Sequence, residues 1–170
     1  MPSLTLPGGG NLAYTEAGSG PVLVLVHGSP GQGRSWGRVA PLLSDRYRVL
    51  MPDLPGYGGS DPGTDEPNER TAALGAAIGA LITSLDAPVL LCGHSYGGNV
   101  ALHAALAHAD RISSLVLLEP VFFRALQTTG DTRELPAAAA FFSAYAERVT
   151  GGEPAAVYQM IDFWFGAGAF

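Results

Sequence analysis

Gly93-His94-Ser95-Tyr96-Gly97 follows directly on the apolar run Pro88-Val89-Leu90-Leu91-Cys92 and leads into Gly98, Asn99 and an Ala- and Leu-rich stretch from Val100 to Ala109. A G-x-S-x-G pattern alone is weak, because small residues recur by chance. An apolar strand before it and a helix-like stretch after it give it the context of a nucleophile elbow. Such a turn predicts strained backbone angles at Ser95, with the hydroxyl standing clear of the sheet. Glycines at 93 and 97 remove the Cβ atoms that would otherwise collide across the turn. A helix beginning near Tyr96 aims backbone N–H groups at the place where negative charge would develop. The competing reading is a Gly-rich strand-to-helix turn with no chemistry.

Working outward, strands alternate with helices. A small hairpin is expected at 3–7 and 11–16, turning through Pro7-Gly8-Gly9-Gly10. Val22–Val26 suits a strand buried on both faces and ends in His27-Gly28. A helix is predicted at Ser35–Leu43, a strand at Tyr47–Met51, a helix at Thr71–Leu85, the strand Pro88–Cys92, a helix at Tyr96–His108 and a sixth strand at Ile112–Leu118. This order implies crossover connections, hence a doubly wound, mostly parallel α/β sheet with helices on both faces. Ligands of such sheets bind at the C-terminal strand ends. Here those ends carry His27-Gly28-Ser29-Pro30, Asp53-Leu54-Pro55-Gly56, Ser95 and Glu119-Pro120.

Composition narrows the partners. With 47% hydrophobic and 14% charged residues in 170, disorder is excluded and one domain with a real core is expected. A formal charge of −6 argues against nucleic acid and anionic membrane surfaces. Val22–Val26 is too short to span a bilayer, and no basic region with an apolar core follows Met1. Cys92 is the single cysteine, so no internal disulfide can form, and a buried spectator thiol in a reducing, cytoplasmic setting is expected. No metal cluster or dinucleotide motif appears: the glycines at 56–59 lack G-x-G-x-x-G spacing. No cofactor is expected.

Beyond Pro120 the pattern changes. Residues 134–149 and 153–165 read as two helices carrying Phe141, Phe142, Tyr145, Tyr158, Phe163 and Trp164. Aromatics at helical spacing pack a core, or they form the underside of a helical cap over an apolar pocket.

These features together resemble the α/β-hydrolase superfamily, of the capped bacterial type. The resemblance rests on His27-Gly28-Ser29-Pro30, Asp53-Leu54-Pro55-Gly56-Tyr57-Gly58-Gly59-Ser60 and Gly93-His94-Ser95-Tyr96-Gly97-Gly98, in that order along the chain. It implies residues 1–120 as the N-terminal part of a hydrolase core and 121–170 as the start of a cap. It implies Ser95 as nucleophile and the N–H groups of Ser29 and Tyr96 as oxyanion donors; Pro30 has no N–H. Phe141, Tyr145, Phe163 and Trp164 become candidates for the substrate pocket. His27 and Asp53 are expected to hold loops. Relatives that open epoxides or remove halide use an Asp nucleophile where this chain has Ser95. The resemblance favours a small, largely apolar ester or related carbonyl substrate, with C–C, lactone and amide hydrolysis left open.

One element of the pattern is missing. A serine nucleophile needs a histidine and an orienting acid, which the family supplies after later strands. His103 and His108 lie roughly 12 Å and roughly 20 Å along the helix from Ser95. A base must come within about 3 Å. Adjacent side chains on a tight elbow diverge, which sets His94 aside. Glu119 ends the strand expected beside Ser95, matching an alternative acid position, or it is a polar residue at the cap entry. The expectation is therefore a chain truncated after strand six, with Ile112–Leu118 left as an open edge. Its complement would be a C-terminal segment or second chain carrying strands seven and eight. A catalytically incomplete fragment, or a non-catalytic binding protein of the same fold, is the alternative.

Overall fold

The computed structural model describes residues 1–64, 66, 69–130 and 132–168. Residues 165–170 read in sequence as a helix end entering a loop, of which Ala169 and Phe170 lie outside the described residues. The chain forms two compact units, Met1–Val121 and Phe122–Phe170, and each is described by itself.

In the first unit β1 (Ser3–Thr5) and β2 (Asn11–Ala17) form the antiparallel hairpin. Its turn is closed by Gly9 N–H to Leu6 O at 2.9 Å, with Gly9 at φ 90°. The strands β3 (Val22–Val26), β4 (Arg48–Pro52), β5 (Val89–His94) and β6 (Ile112–Leu118) complete a sheet of order β1-β2-β4-β3-β5-β6. β2 runs antiparallel to β4; the β3–β4, β3–β5 and β5–β6 pairs are parallel. All four parallel strands therefore end on the same side, which brings His27, Asp53, Ser95 and Glu119 to one edge.

Strand alternation sorts two cores. Val24, Val26, Leu50 and Leu91 face α1 (Arg70–Thr83) and α2 (Tyr96–Ala107), meeting Leu74, Ile78, Leu81 and Val100. Burying each such aliphatic side chain contributes roughly 1.5–3 kcal/mol. Gly75 and Gly79 let the helices close: a Cβ on Gly75 would lie 2.6 Å from that of His103, and the His108 ring covers Gly79. The neighbouring strand residues Leu25, Val49, Met51 and Cys92 form a second cluster with Trp36 and Ala40.

That second cover corrects the helix predicted at Ser35–Leu43. The segment folds instead as 3₁₀ turns at Gly33–Trp36 and Ala40–Leu42. Gly37 weakens helix propensity, and Pro41 cannot donate to the carbonyl four residues back. The helical spacing survives in the packing, since Trp36, Ala40, Leu43 and Tyr47 still point inward. β6 pairs only with β5 among the described residues and leaves Val116 47% and Leu118 41% exposed.

The second unit contains α3 (Phe123–Thr129), which was not anticipated, α4 (Leu135–Thr150) and α5 (Ala156–Phe165). Pro136 in the first turn and the alanines behind it favour α4. Gly151 and Gly152 follow its end, Gly152 at φ 77°. Phe141 and Phe163 stack across α4 and α5 with centroids 4.2 Å apart, and Tyr145 and Trp164 join the same cluster through Phe141 and Phe163.

Candidate active site

Ser95 sits between β5 and α2 at φ 54°, ψ −124°, a conformation that costs a side-chain-bearing residue of order 1–3 kcal/mol. Small neighbours make this possible. A Cβ on Gly93 would lie 2.8 Å from that of Ala101, and one on Gly97 would run into the His27 carbonyl. Ser95 N–H donates to Leu118 O and Gly98 N–H to Ser95 O, each at 2.9 Å. The strained residue is thus held by main chain on both sides. As first residue of α2, Tyr96 has no intrahelical acceptor for its N–H.

The loop after β3 lies against the serine. The place where a Gly28 side chain would sit is 3.0 Å from Ser95 Cβ, so a larger residue there would crowd the serine. Gly31 N–H donates to Gly28 O at 2.8 Å, which makes Ser29 and Pro30 the central residues of a tight turn. Ser29 is exposed, and its hydroxyl meets the Tyr57 hydroxyl at 3.0 Å. Tyr57 also stands edge-on to His27, with ring centroids 5.3 Å apart.

His27 is buried, and both its nitrogens are occupied. Leu54 N–H donates to Nε2 at 3.0 Å, so the ring proton is on Nδ1, which lies 2.9 Å from Gly28 O and donates to it. Burial holds the imidazole pKa below its usual value, more than the Gly28 bond and the nearby Asp53 charge raise it. Asp53 accepts Gly33 N–H at 2.7 Å and Gly59 N–H at 2.8 Å. It clamps its own turn, as expected, and also reaches back to the loop after β3. The remaining histidines do not engage Ser95: His103 on α2 and His108 at its end pack against Gly75 and Gly79 of α1, and the His94 ring stands edge-to-face with Trp36 at 6.3 Å. His94 Nδ1 and Ser95 Cβ do approach the same point beside Gly28, at 3.3 and 3.0 Å, yet no hydrogen bond joins the two residues.

Glu119 stands one residue past Leu118, whose register partner is His94. It is exposed and has φ 46°. Ser95 and Glu119 are the only non-glycine residues with positive φ among those described, and they are successive ends of adjacent parallel strands. The chain leaving Glu119 is pinned to the elbow: Pro120 packs on Gly98, and Asn99 donates its side-chain amide to Val121 O. Asn99 escaped the sequence reading; its signal was a polar side chain among the small and apolar residues opening α2. Its Oδ1 is buried without a hydrogen-bond partner.

Phe141, Tyr145, Phe163 and Trp164 are brought together within the second unit. A separate apolar groove of about 390 Å³ lies between the hairpin turn and α1, lined by Leu6, Pro7, Pro55, Arg70 and Ala77, and contains none of the residues above. No cluster of three or more His, Cys, Asp or Glu that could hold a metal ion occurs among the described residues. No helix among them is long and apolar enough to cross a membrane.

The alpha/beta hydrolase fold family matches residues 21–152. A fluoroacetate dehalogenase of Burkholderia sp is 33% identical over 88% of this chain and 52% of its own. A pimeloyl-[acyl-carrier protein] methyl ester esterase of Vibrio cholerae is 40% identical over 62% of this chain and 39% of its own. A Corynebacterium soluble epoxide hydrolase is 34% identical over 76% and 44%. The chain thus spans about half the length, or less, of these relatives. A solved thermophilic esterase from Thermogutta terrifontis superposes with TM-score 0.63 at 29% identity, over 71% of this chain and 46% of that one.

Proposed function

The chain belongs to the alpha/beta hydrolase fold family, and from that membership we propose that the whole protein is a serine hydrolase of small, largely apolar esters or related carbonyl compounds. The observation carrying this reading is Ser95 at φ 54° on the strand end that faces Gly28. Ser95 Oγ attacks the carbonyl carbon while its proton passes to a histidine supplied by residues outside 1–170. The tetrahedral oxyanion accepts hydrogen bonds from Ser29 and Tyr96 N–H, each donor contributing about 3 kcal/mol. The C–O bond then breaks, the leaving alcohol takes the histidine's proton, and water hydrolyses the acyl-serine. Glu119 orients that histidine from the neighbouring strand end.

Relatives named for esters, epoxides and fluoroacetate leave the reaction to be decided by the nucleophile itself. Displacement at a saturated carbon by Ser95 would leave an ether, which water cannot clear; attack on a carbonyl leaves an ester, which it can. Serine therefore favours acyl transfer. A second reading, a chain without turnover, is favoured by the histidine positions, since none bonds to Ser95. Both are tested by assaying p-nitrophenyl esters with residues 1–170, alone and together with a polypeptide supplying the rest of the fold. The proposal expects activity, and fluorophosphonate labelling at Ser95, only in the combination. Labelling absent from the active combination would overturn it.

A further inference from the structure

The two residues whose N–H groups would hold the oxyanion share a support that the chemistry above does not use. Ser29, on the loop after β3, places its hydroxyl 3.0 Å from the Tyr57 hydroxyl. Tyr96, opening α2, places its phenolic hydroxyl 2.9 Å from Thr71 Oγ1. Tyr57 lies on the loop after β4, and Thr71 lies in the first turn of α1. The chain joining β4 to α1 therefore reaches both residues, although they belong to different loops of the sheet edge.

Each support is itself fixed. Asp53 clamps the Tyr57 loop through Gly59 N–H, and Ser60 Oγ accepts Ala13 N–H at 2.8 Å, tying the same loop to β2. Tyr57 N–H donates to Leu54 O at 2.8 Å. The Tyr57 ring meets His27 edge-on and has the Arg70 guanidinium 6.0 Å from its centroid. Arg70 precedes Thr71, so the two supports adjoin. Both tyrosines pack on the core that contains Leu54, Leu74 and Val100. Thr83 and Thr150 direct their hydroxyls to carbonyls of their own helices, whereas Thr71 reaches across to another element.

An oxyanion donor is effective when its N–H already points to the place where the charge will form, because no reorganisation is then needed during the reaction. We propose that Tyr57 and Thr71 are positioning residues, which hold Ser29 and Tyr96 so that both N–H groups reach one oxyanion. The inference rests on the reading of Ser95 as nucleophile and goes beyond it. Neither side chain touches the substrate; each acts through the donor it holds. Tyr57 carries the larger effect. Ser29 is exposed in a tight turn and gains little from packing, whereas Tyr96 is half-buried and its main chain is already set by α2.

The test measures p-nitrophenyl acetate hydrolysis by the completed protein. Tyr57→Phe should lower kcat about tenfold and Thr71→Val about threefold, each with KM within about twofold, because only the transition state loses an interaction. Thr71→Ser keeps the hydroxyl and should restore the wild-type rate. Ser29→Ala keeps the N–H and removes only the tether, so its kcat should match that of Tyr57→Phe. The double variant Ser29→Ala/Tyr57→Phe should lose no more than either single one. Ser29 is exposed, so this arm reads the tether even if Tyr57→Phe weakens the fold, which thermal unfolding checks. Rates within about twofold of wild type, losses confined to KM, or losses that multiply in the double variant would overturn the proposal. Fluorophosphonate labelling separates the two failures. A labelled wild type with unaltered variants overturns the positioning roles alone; an active wild type that is not labelled at Ser95 overturns the nucleophile together with them.

Discussion

Ser95 and His27 stand on neighbouring strand ends with opposite assignments, and each can be tested alone. In the completed protein, Ser95→Ala should lower ester turnover by at least about 10³-fold while leaving circular dichroism and thermal unfolding unchanged. Retention of a tenth of the rate would remove Ser95 from the mechanism. His27 is buried with its neutral form bonded on both nitrogens, and its pKa lies below the usual 6.5. The unfolded chain therefore binds a proton that the folded chain refuses. That contribution to stability is complete above about pH 6.5 and is lost as pH falls toward the depressed folded value. Urea unfolding should show stability decreasing below about pH 6.5, and His27→Gln should flatten that slope while lowering stability throughout.

At the scale of elements the elbow depends on main chain packed against main chain. Gly97→Ala drives a methyl into the His27 carbonyl and should cost at least about 2 kcal/mol by urea unfolding. Gly8→Ala, with nothing within 4 Å, should stay within about 0.5 kcal/mol. The elbow was legible in sequence because its strand, glycines and helix are contiguous. The sheet was equally legible, since β3, β5 and β6 are short apolar runs with turn signals around them. The 33–47 segment was not: its inward residues keep helical spacing, so periodicity signalled a helix while Gly37 and Pro41 removed the propensity for one. The Asp53 bond to Gly33 and the Asn99 bond to Val121 join loops far apart in sequence, and only the fold brings them together.

For the molecule as a whole, the four histidines decide what residues 1–170 can do. With His27 saturated, His94 against Trp36, and His103 and His108 packed against α1, ester hydrolysis by this chain alone should stay within about 10³-fold of the uncatalysed rate. His94→Ala should not change that residue of activity, measured with p-nitrophenyl acetate; a loss would make His94 the base. The backbone hold on position 95 has a wider meaning. Ser95 is set in place by its own amide, by Gly98 and by the Gly28 loop, and its hydroxyl takes no part in holding it. The socket is therefore indifferent to what is plugged into it. A fold that mounts position 95 through main chain alone can carry a different side chain there without rebuilding the mount.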